Sequence, residues 1–269
     1  MKLSILVDNR AMPGFSGEQG LSIFVEDDRY RVLFDTGRSG TILKENAARL
    51  GVSLLGLDGV ILSHGHYDHT GGLNSLAKHL RGVQIFCHPE IFDRKLYQDG
   101  TDIGMEISPG EMAYCGMRLR ADREAQKIAP YCLATGEIER ICEHEPEPQG
   151  FIVEKAGERR RDVMIDEQAL VLHGRDGLVV LVGCAHPGII NTLTTASKAA
   201  DGPVSVVVGG FHMSDADDQR LTRTIDALKK MGVNRIYPSH CTGEKTIAAL
   251  KDVFKNRCIP TSAGMTIEI

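Results

Sequence analysis

The chain has 269 residues, with 31 basic and 36 acidic side chains and a formal net charge of −5. This length suits one large domain or two small ones, and the composition is that of an ordinary globular protein. The acidic balance makes a nucleic-acid partner a poor expectation, because phosphate backbones favour basic surfaces. No apolar stretch is long enough to span a bilayer, so we expect no membrane partner.

The cysteines and the first residues bear on the cellular compartment. Seven cysteines are scattered without a CxxC pair, and the opening MKLSILVDNRAMPG is interrupted too early to form the apolar core of a signal peptide. An odd set of scattered cysteines is typical of a reducing compartment, where disulfides do not persist. The sequence therefore predicts a cytoplasmic protein with free thiols.

The first ninety residues alternate between strand and helix signals. Short β-rich runs are separated by Gly, Asp and Asn, and a run with helical spacing ends at the capping glycine Gly51. The predicted elements, in chain order, are the strands KLSILV, LSIFVE and YRVLFD, the helix TILKENAARLG, the strand LDGVILS, the helix HTGGLNSLAKHL and the strand VQIFCH.

Residues 90 to about 165 do not show this alternation of strand and helix signals and are richer in charged residues. They include the loop-like stretch EHEPEPQG and short strands such as GFIVEKAG. We interpret this segment as a cap or insertion within a single domain that spans residues 1–269. Regular alternation returns at Gln168. It gives the hairpin strands ALVLHG and LVVLVGCAH, the helix GIINTLTTASKAA, the strand VSVVVGG, the helix ADDQRLTRTIDALKKMG, the strand RIYPSH and the helix EKTIAALKDVF.

The predicted fold class is α/β. Since both halves combine strands with helices, we expect two mixed β-sheets packed face to face and flanked by helices, which is an αββα sandwich.

The stretch LSHGHYDHTGG places three of the ten histidines and an aspartate within six positions. His64, His66 and His69 would repel one another if protonated and would need partners if buried. A divalent metal ion satisfies both conditions, because it binds neutral imidazole nitrogens directly. The cluster therefore predicts a metal site.

Three more histidines follow apolar strands, namely His186, His212 and His240. A single histidine beside a strand is more often a hydrogen-bonded core or loop residue. Together with His64, however, four strands would end in this way and bring their imidazoles to one edge of the sandwich, where ligand sites are common.

This ordered set of motifs resembles the metallo-β-lactamase superfamily, whose signature is HxHxDH. The matching residues are His64, His66, Asp68 and His69, with Asp35 in FDTG, His186 in GCAH and His240 in SHCTG. The stretches LVDN, GLS, LATGEIER, DEQAL, GCAHPGIINTL, GGFH and PSHCTG are similar to the subgroup named for dihydropterin-aminobenzene ribosyl phosphate synthase. Such a resemblance supports a shared fold more strongly than it supports a shared enzymatic activity.

The resemblance implies a centre that holds one or two divalent transition-metal ions, with zinc as the first expectation and manganese or iron as alternatives. The first ion would be bound by His64, His66 and His186, and the second by Asp68, His69 and His240. Two such ions share a hydroxide and clamp an oxygen-rich substrate.

The resemblance also implies roles for two aspartates. Asp68, beside the activated water, would be catalytic, because it could orient the water or accept its proton. Asp35 would lie behind the ligands and accept a hydrogen bond from a metal-bound imidazole or a nearby backbone group. The alternative for Asp35 is a plain Asx-turn.

The sequence departs from the superfamily where a bridging aspartate usually precedes the last metal histidine. The strand VVVGGFHM has no aspartate before Asp215, and His212 occupies the position instead. A neutral imidazole has one lone pair and cannot bridge two ions, so His212 either binds one ion or faces the substrate, and occupancy by a single metal is an alternative. We assign His212 a catalytic role. Cys184 and Cys241 do not fit the ligand pattern, and we interpret both as packing residues.

These features predict a metal-dependent hydrolase, or a lyase or synthase-like enzyme, that uses a metal-activated water on a small anionic substrate. The expected substrate is phosphorylated, and a pterin-like ring is one form it could take. Possible anion contacts are Arg118, Arg120, Arg123, Lys127 and Arg140, although each of them taken singly is more often part of a solvated surface. The alternatives are a phosphodiesterase or nuclease of the same fold and a non-catalytic metal-binding sensor.

Overall fold

The computed structural model describes all 269 residues, and they form sixteen strands and seven α-helices. The strands are β1 Lys2–Val7, β2 Ser22–Asp27, β3 Tyr30–Phe34, β4 Gly59–Ile61, β5 Gln84–Cys87, β6 Arg94–Tyr97, β7 Arg118–Ala121, β8 Gln126–Ala129, β9 Cys132–Ala134, β10 Phe151–Lys155, β11 Glu158–Arg161, β12 Leu170–Gly174, β13 Gly177–Val182, β14 Val204–Gly210, β15 Arg235–Ser239 and β16 Thr266–Glu268. The helices are α1 Thr41–Arg49, α2 Tyr67–Thr70, α3 Gly72–Leu76, α4 Pro109–Tyr114, α5 Ile189–Ala200, α6 Asp218–Lys230 and α7 Glu244–Phe254.

Two large mixed sheets form the body of the molecule. The first has the strand order β16-β1-β2-β3-β4-β5-β7, and the second has the order β15-β14-β13-β12-β9-β8. Strands β3, β4, β5 and β7 are parallel, as are β13, β14 and β15, while the remaining pairs in both sheets are antiparallel. The predicted αββα sandwich is therefore confirmed.

Three hydrophobic clusters hold these layers together. One lies between the sheets and includes Ile23, Phe34 and Leu181. The second packs α1 and α3 against the outer face of the first sheet, and the third packs α5, α6 and α7 against the second sheet. Because β14 is buried on both faces, its VSVVV run consists mainly of β-branched residues without polar alternation.

The predicted helix HTGGLNSLAKHL differs from the observed structure. The chain forms two short helices, α2 and α3, which meet at Gly71. A β-carbon on Gly71 would lie 2.1 Å from the carbonyl oxygen of Arg38, and one on Gly72 would lie 2.1 Å from that of Thr36. These glycines let the helices pack directly against the loop after β3, a long-range contact that local spacing does not reveal.

Residues 90 to about 165 contribute strands to all three sheets. Strand β7 extends the first large sheet, β8 and β9 extend the second, and β6, β10 and β11 form a separate sheet of three strands. Phe151 at the start of β10 brings this small sheet to the histidine cluster, since its ring centroid lies 5.2 Å from that of His66. None of the helices is long and apolar enough to cross a membrane.

Candidate metal centre

The C-terminal ends of strands from both large sheets meet at one edge of the sandwich. The parallel strands β13, β14 and β15 lead to His186, His212 and His240, while β4 of the other sheet leads to His64. The ring centroids of His186 and His212 are 4.4 Å apart, and those of His64 and His186 are 4.9 Å apart. The histidines that the sequence places at strand exits do come together, and His69 lies among them, 5.0 Å from His240 between ring centroids.

The backbone at this edge adopts an uncommon conformation. Asp35, Ala185, His212 and His240 all have positive φ angles, between 46° and 57°, and each directly follows or closely follows a strand. Such left-handed residues cost free energy and cluster at functional sites, where surrounding contacts enforce them. Gly210 allows a close approach of neighbouring atoms, because a β-carbon there would lie 2.6 Å from Cys241 Sγ.

The first candidate ligand group contains His64, His66 and His186, whose ligand atoms all lie within 4.8 Å of one another. His64 Nε2 is 3.0 Å from His66 Nδ1. Ser63 Oγ donates to Asp35 Oδ2 at 2.7 Å, so it accepts from His64 Nδ1 at 2.9 Å. The proton of a neutral His64 therefore lies on Nδ1, which leaves the lone pair of Nε2 directed at the group.

The second candidate group contains Asp68, His69 and His240, again with ligand atoms within 4.8 Å of one another. His69 Nδ1 donates to Asp35 Oδ2 at 2.7 Å, and His240 Nδ1 donates to Asn9 Oδ1 at 2.8 Å. In both neutral rings the remaining lone pair is on Nε2, and these two nitrogens face each other at 3.3 Å. The hydrogen bond expected for Asp35 is present.

The chemistry of these groups fits divalent metal ions. Lone pairs of neighbouring nitrogens that point at a common position repel one another unless a cation lies between them. Two pairs of ring nitrogens are close enough to share an ion, His64 Nε2 with His66 Nδ1 at 3.0 Å and His69 Nε2 with His240 Nε2 at 3.3 Å. The carboxylate of Asp68 adds negative charge 3.5 Å from His240 Nε2, so the second group also favours a cation electrostatically.

Burial and charge distinguish the two groups. Burial, with repulsion from neighbouring imidazoles, holds the pKa of His64 and of His66 well below the ordinary value, and burial does the same for His186. Burial also opposes protonation of His69, but the carboxylates of Asp35 and Asp68 outweigh it and raise the pKa of His69 to about 9. The first group is therefore a set of neutral imidazoles, while the second attracts positive charge.

Glu167 is a supporting residue that the sequence analysis missed. Its Oε2 accepts from His186 Nδ1 at 2.7 Å and from the His186 backbone N–H at 2.9 Å. Its Oε1 accepts from the backbone N–H groups of Cys184 and Ala185. Glu167 thus fixes the whole GCAH loop and directs His186 Nε2 at the ligand group. Its only sequence signal is the DEQAL stretch, which does not indicate a partner.

A buried ion cluster lies beneath the HxHxDH loop. Lys95 is only 2% exposed, and its Nζ lies 2.8 Å from Asp162 Oδ2 and 2.8 Å from Asp166 Oδ1. Asp166 Oδ2 also accepts from the backbone N–H of Gly65 at 2.8 Å. The small sheet that carries Lys95 therefore holds the residue between His64 and His66 in place.

Cys184 and Cys241, which the sequence analysis interpreted as packing residues, lie beside the candidate ligand groups. Cys184 Sγ lies 3.3 Å from His69 Nε2, and the thiols of Cys184 and Cys241 and the ring of His212 place ligand atoms within 4.8 Å of one another. Burial raises the pKa of Cys184 well above the ordinary value. Neither thiol was assigned to the site because the HxHxDH signature contains no cysteine.

A cavity opens above the two ligand groups. It is lined by Asn9, Gln19, His66, Tyr67, Asp68, Tyr97, Ile103, Phe151, Cys184, His186, His212, His240 and Cys241. One wall is aromatic. The ring centroids of the stacked Tyr97 and Phe151 are 5.7 Å apart, and those of Phe151 and His212 are 5.9 Å apart. Four candidate ligands also line the cavity, namely His66, Asp68, His186 and His240.

None of the possible anion contacts lines this cavity. Arg123 pairs with Glu90 and Glu137, and Arg140 donates to backbone carbonyl groups, including that of Pro187 at 3.3 Å. The remaining three candidates, Arg118, Arg120 and Lys127, belong to the strands β7 and β8. Their charge made them candidates, but sequence could not show that their strands join sheet edges away from the cavity.

An αββα sandwich with convergent histidine and aspartate groups at one sheet edge defines a class of metal-binding α/β proteins. The family model described as the metallo-beta-lactamase superfamily matches residues 16–240. The chain belongs to this superfamily.

Three proteins are similar to this chain over nearly its whole length. The chain is 32% identical over 269 residues to 7,8-dihydropterin-6-methyl-4-(beta-D-ribofuranosyl)-aminobenzene-5'-phosphate synthase of Methanocaldococcus jannaschii, an alignment that covers 94% of this chain and 91% of the relative. The crystal structure of Tm1679, described as a metal-dependent hydrolase of the beta-lactamase superfamily, superposes with a TM-score of 0.87 and 33% identity and covers 100% of this chain and 99% of that one. Zn(2+)-bound PqqB from Methylobacterium extorquens has a TM-score of 0.59 at 14% identity, with both chains covered completely, and shares the fold.

Proposed function

We propose that this protein is a metal-dependent hydrolase that binds two divalent transition-metal ions, preferably zinc, and cleaves a small phosphorylated substrate. The observation that carries the proposal is the convergence of imidazole nitrogens in two adjacent groups, with His69 Nε2 and His240 Nε2 facing each other at 3.3 Å. When bound, such ions supply Lewis acidity and activate a water molecule as a nucleophile near neutral pH.

Asp68 is placed to handle the proton of that water. Its Oδ2 accepts from Gln19 Nε2 at 3.3 Å and lies 3.5 Å from His240 Nε2, at the floor of the cavity. Burial opposes ionisation, but the charges of His69 and His240 outweigh it and lower the pKa of Asp68. Asp68 is therefore an anion at neutral pH and can both bind the second ion and accept a proton.

His212 lines the same cavity and acts, in this proposal, as the proton donor. Its Nδ1 has no hydrogen-bond partner. Burial opposes protonation of this ring, but the hydrogen bond and charge of Cys241 outweigh burial and raise the pKa of His212. A protonated imidazole beside the ligand groups can donate to a substrate oxygen as negative charge develops on it.

The cavity suits a substrate with a planar ring and an anionic group. Tyr67, Tyr97 and Phe151 offer ring faces and edges for stacking. Because no lysine or arginine lines the cavity, the anionic group would face the metal ions and His212. The name of the Methanocaldococcus relative describes a pterin joined to an aminobenzene group and a phosphate, which matches this combination and supports a phosphorylated substrate with a pterin-like ring.

Turnover of generic phosphate esters tests the proposal. Purified protein loaded with zinc, manganese or iron is assayed with p-nitrophenyl phosphate and bis(p-nitrophenyl) phosphate, and we expect hydrolysis that a chelator abolishes. Asp68→Asn should remove activity while the fold survives, and Asp226→Asn, at an exposed position on α6, serves as the matched control. Full metal loading without hydrolysis of either ester would contradict the proposal and favour the non-catalytic sensor.

A further inference from the structure

The two ligand groups contain no residue that joins them. In the sequence, the place of a bridging carboxylate is taken by His212, whose neutral ring offers one lone pair. A bridging atom must lie close to ligands of both groups and must have more than one lone pair. Cys184 Sγ meets both conditions, because it lies 3.3 Å from His69 Nε2 and belongs to a set with His64 and His69 whose ligand atoms are all within 4.8 Å.

We propose that Cys184 is a metal ligand whose thiolate sulfur bridges the two ions. This inference rests on the proposed metal centre and assigns it one further ligand. A sulfur atom can bind two ions at once, and thiolate is a preferred ligand of zinc and of iron. A bound divalent ion displaces the thiol proton, so Cys184 would carry negative charge between the two ions.

The loop that carries Cys184 is held in a fixed position. Glu167 accepts from the backbone N–H of Cys184 at 3.2 Å and from those of Ala185 and His186. The same carboxylate accepts from His186 Nδ1. One side chain therefore positions both a ligand of the first ion and the sulfur, as a preorganised site requires.

Cys241 is less suited to the bridging position. It forms a set with Cys184 and His212, but not with His64 or His69. Its Sγ lies 3.7 Å from the carbonyl oxygen of Cys184. His212 is thus the only imidazole grouped with Cys241, and replacement of Cys241 provides a test of which sulfur binds metal.

Cobalt(II) substitution distinguishes the sulfur ligand from the rest of the centre. Wild-type protein loaded with cobalt should show the near-ultraviolet absorption of a thiolate-to-metal transition, and Cys184→Ser should lose that absorption and one of the two ions. Cys241→Ser and Cys258→Ser, the latter in the buried core of the second sheet, should retain both. Retention of the absorption in Cys184→Ser, or its loss in Cys241→Ser, would overturn the inference.

X-ray absorption of the wild-type zinc protein gives a second readout that does not depend on a variant. We expect one sulfur at about 2.3 Å from each ion, beyond the nitrogen shell at about 2.0–2.1 Å. Two bound ions without sulfur in either shell would overturn the bridging role and leave the proposed metal centre intact. Failure of the protein to bind cobalt or zinc at all would instead overturn the metal centre itself.

Discussion

Glu167 and His186 form a hydrogen bond of 2.7 Å between a fully buried carboxylate and the Nδ1 of a candidate metal ligand. Burial raises the pKa of Glu167 to about 7, even though backbone N–H groups favour its ionised form. A divalent ion on the other nitrogen of His186 would favour the ionised carboxylate further, because it makes the Nδ1 proton a stronger donor. The fold thus couples the charge of Glu167 to metal binding.

Glu167→Gln should weaken metal binding at the first site by about 10- to 100-fold, which is the usual effect of losing a partner of a metal-bound histidine. The amide keeps the size of the side chain but removes its charge. Competition with a coloured chelator measures the affinity. Glu158→Gln, on the exposed strand β11, is the control, and equal affinities for the two variants would show that Glu167 does not support the ligand.

Acidification should release the second ion before the first. His69, with a pKa of about 9, must lose a proton to bind metal at neutral pH, whereas the pKa values of His64 and His186 lie well below the ordinary value. Between pH 9 and pH 7, the affinity of the second site should therefore fall about tenfold per pH unit, since one proton competes with the ion, while the first site changes little. Equilibrium dialysis at several pH values would reveal the order, and simultaneous loss of both ions would contradict it.

Lys95→Met should destabilise the protein strongly, by about 3–5 kcal/mol, because it leaves the buried carboxylates of Asp162 and Asp166 without their cation. The free energy of unfolding in urea, measured with a chelator present, checks this value. Lys127→Met replaces an exposed lysine of β8 and should change stability by less than about 0.5 kcal/mol. A similar small effect at Lys95 would mean that the cluster adds nothing to stability.

His212→Ala should lower turnover much more than it lowers metal content at the first site. The imidazole faces the cavity and lies 4.4 Å from His186 between ring centroids, but it belongs to neither of the two principal ligand groups. Elemental analysis and ester hydrolysis are compared on the same preparation. Unchanged turnover would remove His212 from the catalytic machinery.

The fold and the convergence of the strand-end histidines could be predicted from the sequence alone. Buried parallel strands such as β14 can be predicted from their runs of β-branched residues. The parallel arrangement of β13, β14 and β15 then places His186, His212 and His240 at one edge of the sheet. The HxHxDH spacing also constrains His64 and His69 locally, with His64 just before the short helix α2 and His69 within it. These are short-range or strongly patterned signals, which a single sequence retains.

Long-range contacts were the part that sequence did not reveal. Glu167 is nineteen residues from His186, and Lys95 is 71 residues from Asp166, so no local spacing connects them. The position of Cys184 likewise depends on how its loop folds over the other sheet. Strand β7 joins the first sheet and β8 joins the second, although both come from one charged segment without clear periodicity.

Metal content of wild-type protein and of the His64→Ala, His66→Ala double variant tests the central claim most directly. After incubation with zinc and removal of excess ions, elemental analysis should find two ions per wild-type chain, and the double variant should lose the first-site ion because two of its three histidine ligands are gone. Wild-type protein that retains no zinc, manganese or iron would contradict the account.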